Sequence, residues 1–106
     1  MKEKMLVLPM KKKWFDMILS GDKKEEYREF KPYWETRVRN WEIANGQKMS
    51  SSPILFINGY GTKAPRFIGW CSGYSIRSTF LHPEWGEKAY ERKPHFVFSI
   101  KTVQLL

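Results

Sequence analysis

Cysteine is almost absent: Cys71 stands alone in 106 residues. That excludes an intrachain disulfide framework and a cysteine-based zinc site. Histidine is nearly as scarce, and its two residues, His82 and His95, lack a metal-ligand spacing. No apolar run approaches the roughly 20 residues that span a bilayer. Met1-Lys2-Glu3-Lys4 leads into only six residues of apolar character, with no cleavage site, so no secretory leader is expected. These absences point to a cytoplasmic protein with no metal, no cofactor and no membrane partner, taken as a monomer. Acidic residues are also in deficit, 11 against 19 Lys and Arg, for a net charge of +8 and a pI near 9.7. A domain with that balance favours polyanions: nucleic acid or nucleotides first, anionic membrane second. Solubility alone is the other use of such charge.

Aromatic residues are plentiful at 16% of a chain that is 42% hydrophobic. This length forms one domain with one modest core, and rings fill much of such a core. Met5–Met10 reads as a strand, with Pro9 suited to its end or to a sheet edge. Met10, Trp14, Met17 and Ile18 then repeat at helical spacing through Ser20. Lys11, Lys12 and Lys13 open that helix against its macrodipole, a small cost that an anionic ligand could offset. Gly21 stops it. Lys23–Phe30 is expected to be a strand, with Lys24, Glu26, Arg28 and Phe30 on one face. Pro32 opens a second helix in which Trp34, Val38 and Trp41 share a face, while Arg37 and Arg39 lie off it; it ends before Asn45-Gly46. Gln47–Pro53 reads as a polar loop. Ile54–Ile57 is a buried strand, followed by the turn Asn58-Gly59-Tyr60-Gly61. Arg66–Ile76 is a long strand, expected to carry Ile68, Trp70, Tyr74 and Ile76 on one face and the small Gly69, Cys71 and Gly73 on the other. His82–Gly86 is a loop, and His95–Val103 closes the sheet through Phe96, Phe98 and Ile100. The order is α+β, and short strands in such a chain close most readily as a small β-barrel plugged by helices.

The densest chemistry is the segment Gly21 to Arg28. Gly21, Lys23, Glu26 and Arg28 give the string G-x-K-x-x-E-x-R directly after an amphipathic helix ending Ile18-Leu19-Ser20. A charged run of this kind is either a solvated face or the lining of a cleft. The string, in that helix–turn–strand setting, resembles the ASCH domain family of the PUA-like superfamily, most strongly over Leu6 to Arg28 and further through Lys31–Arg39 and Asn58–Pro65. The resemblance implies a barrel of five or six mixed, mostly antiparallel strands, closed by two or three helices. It also implies a cleft where Lys23, Glu26 and Arg28 meet RNA, a nucleotide or a nucleoside. One branch of the family hydrolyses a modified nucleoside with a lysine, a threonine and a later glutamate, and another small member is described as a ribonuclease. Lys23 matches that lysine, but Glu26 stands where that branch has threonine.

Two functions follow from different classes. One is a binding module; the other is a small hydrolase with Glu26 as base and Lys23 as acid or electrophile. A later carboxylate converging on Lys23, from Glu84, Glu87 or Glu91, would favour the hydrolase. Tyr27, Tyr60, Trp70 and Trp85 are candidates for stacking on bases, with Tyr60 and Trp85 preferred because they lie in loops. Lys23, Glu26 and Arg28 are expected to converge in one cleft near Tyr60, with Lys23 partly exposed and contributing little to stability. Cys71 is expected to be buried rather than nucleophilic.

Overall fold

The structure is a computed structural model that describes residues 5–46, 51–79, 82–86 and 92–106. It is α+β: one curled five-stranded mixed sheet, a half-barrel, with two α-helices against it. The elements run β1 (Leu6–Met10), α1 (Lys12–Ser20), β2 (Glu25–Glu29), α2 (Pro32–Ala44), β3 (Ser52–Asn58), β4 (Arg66–Arg77) and β5 (His95–Leu105), with a 3-10 turn at Pro83–Trp85 between the last two. The sheet order is β1-β3-β4-β5-β2. β1 runs parallel to β3, and every other neighbour is antiparallel.

Gly21 ends α1 as its sequence requires. It sits at φ 90° and returns its N–H to the Ile18 carbonyl at 3.1 Å, a left-handed cap free of the Cβ clash other residues meet there. The chain then crosses to the far edge of the sheet as β2, while β1 forms the near edge. Pro9 therefore lies on an edge strand, where its missing donor costs no ladder bond. Ser52 and Pro53 already belong to β3, so the expected Gln47–Pro53 loop is shorter at its far end; residues 47–50 lie outside the described ones.

The interior is built from Leu6, Leu8, Ile54, Phe56, Phe67, Phe96, Phe98 and Ile100 of the sheet, with Phe15 and Ile18 of α1 and Val38 and Trp41 of α2 against them. Trp34, Val38 and Trp41 do share the buried face of α2, and Trp41 Nε1 donates to the Pro53 carbonyl at 2.9 Å. On α1 the buried positions are Phe15 and Ile18, with Trp14 at the margin.

The reading of β4 as a single alternating face needs correction. Its register with β5 slips twice, between Trp70 and Cys71 and between Cys71 and Gly73. Such a bulge leaves a residue unpaired and changes which face follows. Ile68 and Trp70 consequently join Leu55 and Ile57 on the outer side. Tyr74 packs against the interior cluster and Cys71 is fully buried within it. Burial pushes the Cys71 thiol pKa up to about 11, the opposite of an activated nucleophile.

Gly69 marks a close approach. A Cβ there would fall 2.4 Å from Cε2 of Phe56, a wholly buried ring stacked on Phe67 with 5.2 Å between centres. Gly69→Ala should therefore destabilise the domain by about 1–3 kcal/mol, the range for overpacking a filled core. Denaturant midpoints measure it, and an unchanged midpoint would mean that the ring gives way freely.

Candidate functional site

β2 pairs Glu26 with Phe98 and Arg28 with Phe96, both interior positions of β5. The alternation of the strand therefore turns Glu26 and Arg28 inward, toward one mouth of the half-barrel. Lys23 precedes β2 and is not bound by its alternation. Its N–H is fixed to the Met17 carbonyl at 3.0 Å, and its side chain reaches Glu26 from the turn. Nζ lies 3.1 Å from Glu26 Oε1, while Arg28 Nη1 pairs with Glu26 Oε2. Each carboxylate oxygen thus has its own cation.

Burial sets the character of this triad. Lys23 is 1% exposed and Glu26 4%. Lys23 Nζ also donates to the backbone carbonyl of Trp85 and lies 4.6 Å and 5.0 Å from the ring centres of Tyr27 and Trp14. Arg28 donates to the Tyr27 carbonyl at 2.8 Å and, through Nη2, to the Pro9 carbonyl at 2.8 Å. The last bond links the two edge strands: one guanidinium spans the gap between β2 and β1. Among the described residues no buried side-chain nitrogen or oxygen lacks a partner, which is the condition for burying charge at tolerable cost.

Protonation equilibria follow from this packing. Burial pulls the Lys23 ammonium pKa below its ordinary value, only partly offset by Glu26. Burial alone would raise the Glu26 pKa, but Arg28 and Lys23 outweigh it and hold the carboxyl below its ordinary range. Both pKa values are lowered, which disfavours the charged form of Lys23 and favours that of Glu26: the carboxylate has two cations, whereas the ammonium shares one carboxylate. Behind them, burial and a 2.9 Å hydrogen bond to Glu25 raise the Tyr27 phenol pKa, and Arg77 pairs with the same Glu25 at 3.0 Å.

In front of the triad opens a cleft of about 300 Å³. Its walls are Trp14 from α1, Tyr27 from β2, Trp34 from α2 and Trp85 from the 3-10 turn. Glu26 and Arg28 form part of the lining, and Lys11, Glu29, Lys31 and His95 add further polar groups to it. Lys11 and Lys31 stand at the starts of the two helices. Glu29 lies 3.9 Å from Lys31 and 3.8 Å from Lys93.

The expected site residues separate on this map. Glu26, Arg28 and Trp85 line the cleft together. Lys23 does not line it, and the expectation of a partly exposed Lys23 is corrected: Trp14, Tyr27, Glu26 and the Trp85 carbonyl enclose its ammonium. Tyr60 does not join them; it is 86% exposed on the turn after β3, and Trp70 lies on the outer side of the sheet. The Glu84 carboxylate turns toward His82, 3.4 Å away, rather than toward Lys23, and Glu87 and Glu91 lie outside the described residues. Sequence periodicity missed Trp14 and Trp34, which read as core positions. Each sits in the first turns of its helix, just after a strand end, and that placement was the available signal. Among the described residues no group of three or more His, Cys, Asp or Glu is placed to hold a metal ion, and no helix is long and apolar enough to cross a membrane.

Comparisons with protein-family models, with curated proteins and with solved structures gave no match.

Proposed function

We propose that the chain is an ASCH-type, PUA-like domain whose cleft binds RNA, a nucleotide or a nucleoside without chemistry of its own. The observation that carries this reading is the cleft lining. Four aromatic residues and three cationic ones line a space at the lower end of the about 300–1,000 Å³ typical of small-molecule sites. Rings accept any base through its π-face, and cations suit the phosphate or a base carbonyl. The cleft takes in Glu26 and Arg28 of the G-x-K-x-x-E-x-R segment, and the resemblance puts the ligand at that segment. The curled sheet plugged by helices fits the same superfamily.

The hydrolase reading has less behind it. Glu26 is held ionised with both oxygens engaged, and Lys23 is enclosed, so neither meets a ligand in the cleft as a free base or acid. Glu84 supplies no second carboxylate. Titration calorimetry with nucleosides, nucleoside monophosphates and short single-stranded RNAs tests the proposal. Binding is expected, weakening with salt for the RNAs in proportion to the phosphates engaged. No heat with any of these ligands at low salt would reject it. Conversion of a bound ligand to product would return the hydrolase.

A further inference from the structure

The cleft is continuous with a ladder of rings and guanidinium groups that leads out of it. Arg28 holds its guanidinium carbon 5.4 Å from the Trp34 ring centre. Trp34 meets Tyr33 edge to face, with 4.9 Å between centres at 84°. Tyr33 in turn carries the Arg37 guanidinium 3.5 Å from its own ring centre. Arg37 Nη1 also donates to the Tyr33 carbonyl at 3.1 Å, which fixes it there. The series therefore runs from a partner of the buried Glu26 to the solvent face of α2.

An arginine over a tyrosine four residues earlier is an ordinary helix-surface pair. Two further facts set this one apart. Tyr33 is 53% exposed and belongs to neither the interior cluster nor the one on the outer side of the sheet, so hydrophobic packing does not account for it. It also touches a wall of the cleft, and Lys31, two residues before it, lines the cleft itself. Stacked arginine and tyrosine planes are the surfaces on which unpaired bases lie.

We infer that α2 carries a second nucleotide subsite, and that the ligand is a single-stranded RNA segment rather than a free nucleoside. This rests on the nucleotide-binding reading of the cleft. One base occupies the cleft, its neighbour stacks on the Tyr33–Arg37 pair, and the phosphate between them passes Lys31. The Glu29 carboxylate on this rim is opposed by both Lys31 and Lys93.

The test titrates the parent protein with each common nucleoside 5′-monophosphate and with the trinucleotide RNA of the same base, at one low salt concentration. At least one trinucleotide should bind about tenfold or more tightly than its monophosphate, the scale of one added base stack. Tyr33→Ala leaves the charge unchanged and should remove most of that advantage while holding monophosphate affinity within about twofold. Arg37→Ala should act in the same direction. Both positions are exposed, and melting curves verify that the variants fold. Equal affinity of monophosphate and trinucleotide for the parent would overturn the second subsite and leave the cleft reading standing. So would a Tyr33→Ala protein that kept the full preference. Failure of every monophosphate and every trinucleotide to bind would overturn the cleft reading and this inference with it.

Discussion

Glu26→Gln is expected to lose about 3–5 kcal/mol of stability, the range for breaking a buried ion pair by removing one partner. The substitution keeps the volume of the side chain, so the loss is one of charge. Lys23 and Arg28 would be left as neighbouring cations, Lys23 fully enclosed, with no counter-charge between them. For a domain of this size the melting temperature should fall by on the order of 15 °C. The difference from the parent should depend on pH. In the parent, the folded Glu26 pKa lies below its unfolded value of about 4.3, so its contribution is complete above that value and is lost as pH falls through the folded pKa. The variant has no such loss in acid. At the other end, the folded Lys23 pKa is lowered, so burying the charged ammonium costs stability that is recovered as pH rises through that pKa toward about 10.4. Without Glu26 the proton leaves at lower pH, and the variant recovers earlier. The gap between the two proteins should be widest near neutrality and narrow on both sides. A gap that is flat with pH would contradict the charge account.

Lys23→Ala is expected to cost about 3 kcal/mol, because it combines a cavity with a carboxylate oxygen and a backbone carbonyl deprived of their donor. Lys23→Met separates these contributions. It refills the space between Trp14 and Tyr27 and leaves Glu26 its pairing with Arg28, so it should recover about 1 kcal/mol or more of the loss. Because the ammonium also holds the Trp85 carbonyl, both variants should weaken ligand binding through the position of Trp85, a cleft wall. Chemical denaturation and calorimetry on the same samples measure the two effects. Full parental stability in Lys23→Ala would mean that the lysine is not enclosed as described.

The sequence made the helix–glycine–strand passage legible because three local rules agree there. Helical spacing ends at Leu19, Gly21 supplies the left-handed cap, and alternation begins once β2 starts. The shared face of Glu26 and Arg28 followed from that alternation, and the freedom of Lys23 from its place in the turn; that the shared face turns inward came only with the pairing of β2 to Phe96 and Phe98 of β5. Its burial did not follow. The residues that enclose it come from α1, β2 and the 3-10 turn sixty residues downstream, and nothing local reports that closure. Trp14 and Trp34 satisfied a core pattern and also a cleft wall, since a ring at the margin of a helix face can serve both. The two faces of β4 were misread because a bulge at Ser72 and a matching slip at Lys101 alter the register, and alternation counted from sequence assumes none. Tyr60 looked accessible, and is, but the turn that carries it stands outside the cleft lining.

The most direct test of the central claim uses the indole N–H signals of the five tryptophans in a two-dimensional nitrogen–proton NMR spectrum, assigned through single Trp→Phe variants. Trp14, Trp34 and Trp85 line the cleft. Trp41 is buried against Pro53, and Trp70 lies outside with its Nε1 on Gln104 at 3.1 Å. Addition of a bound nucleoside monophosphate should move the first three signals and leave the last two in place. Movement confined to Trp41 or Trp70, or no movement under a saturating excess of every common monophosphate and short RNA, would contradict a nucleotide site in this cleft.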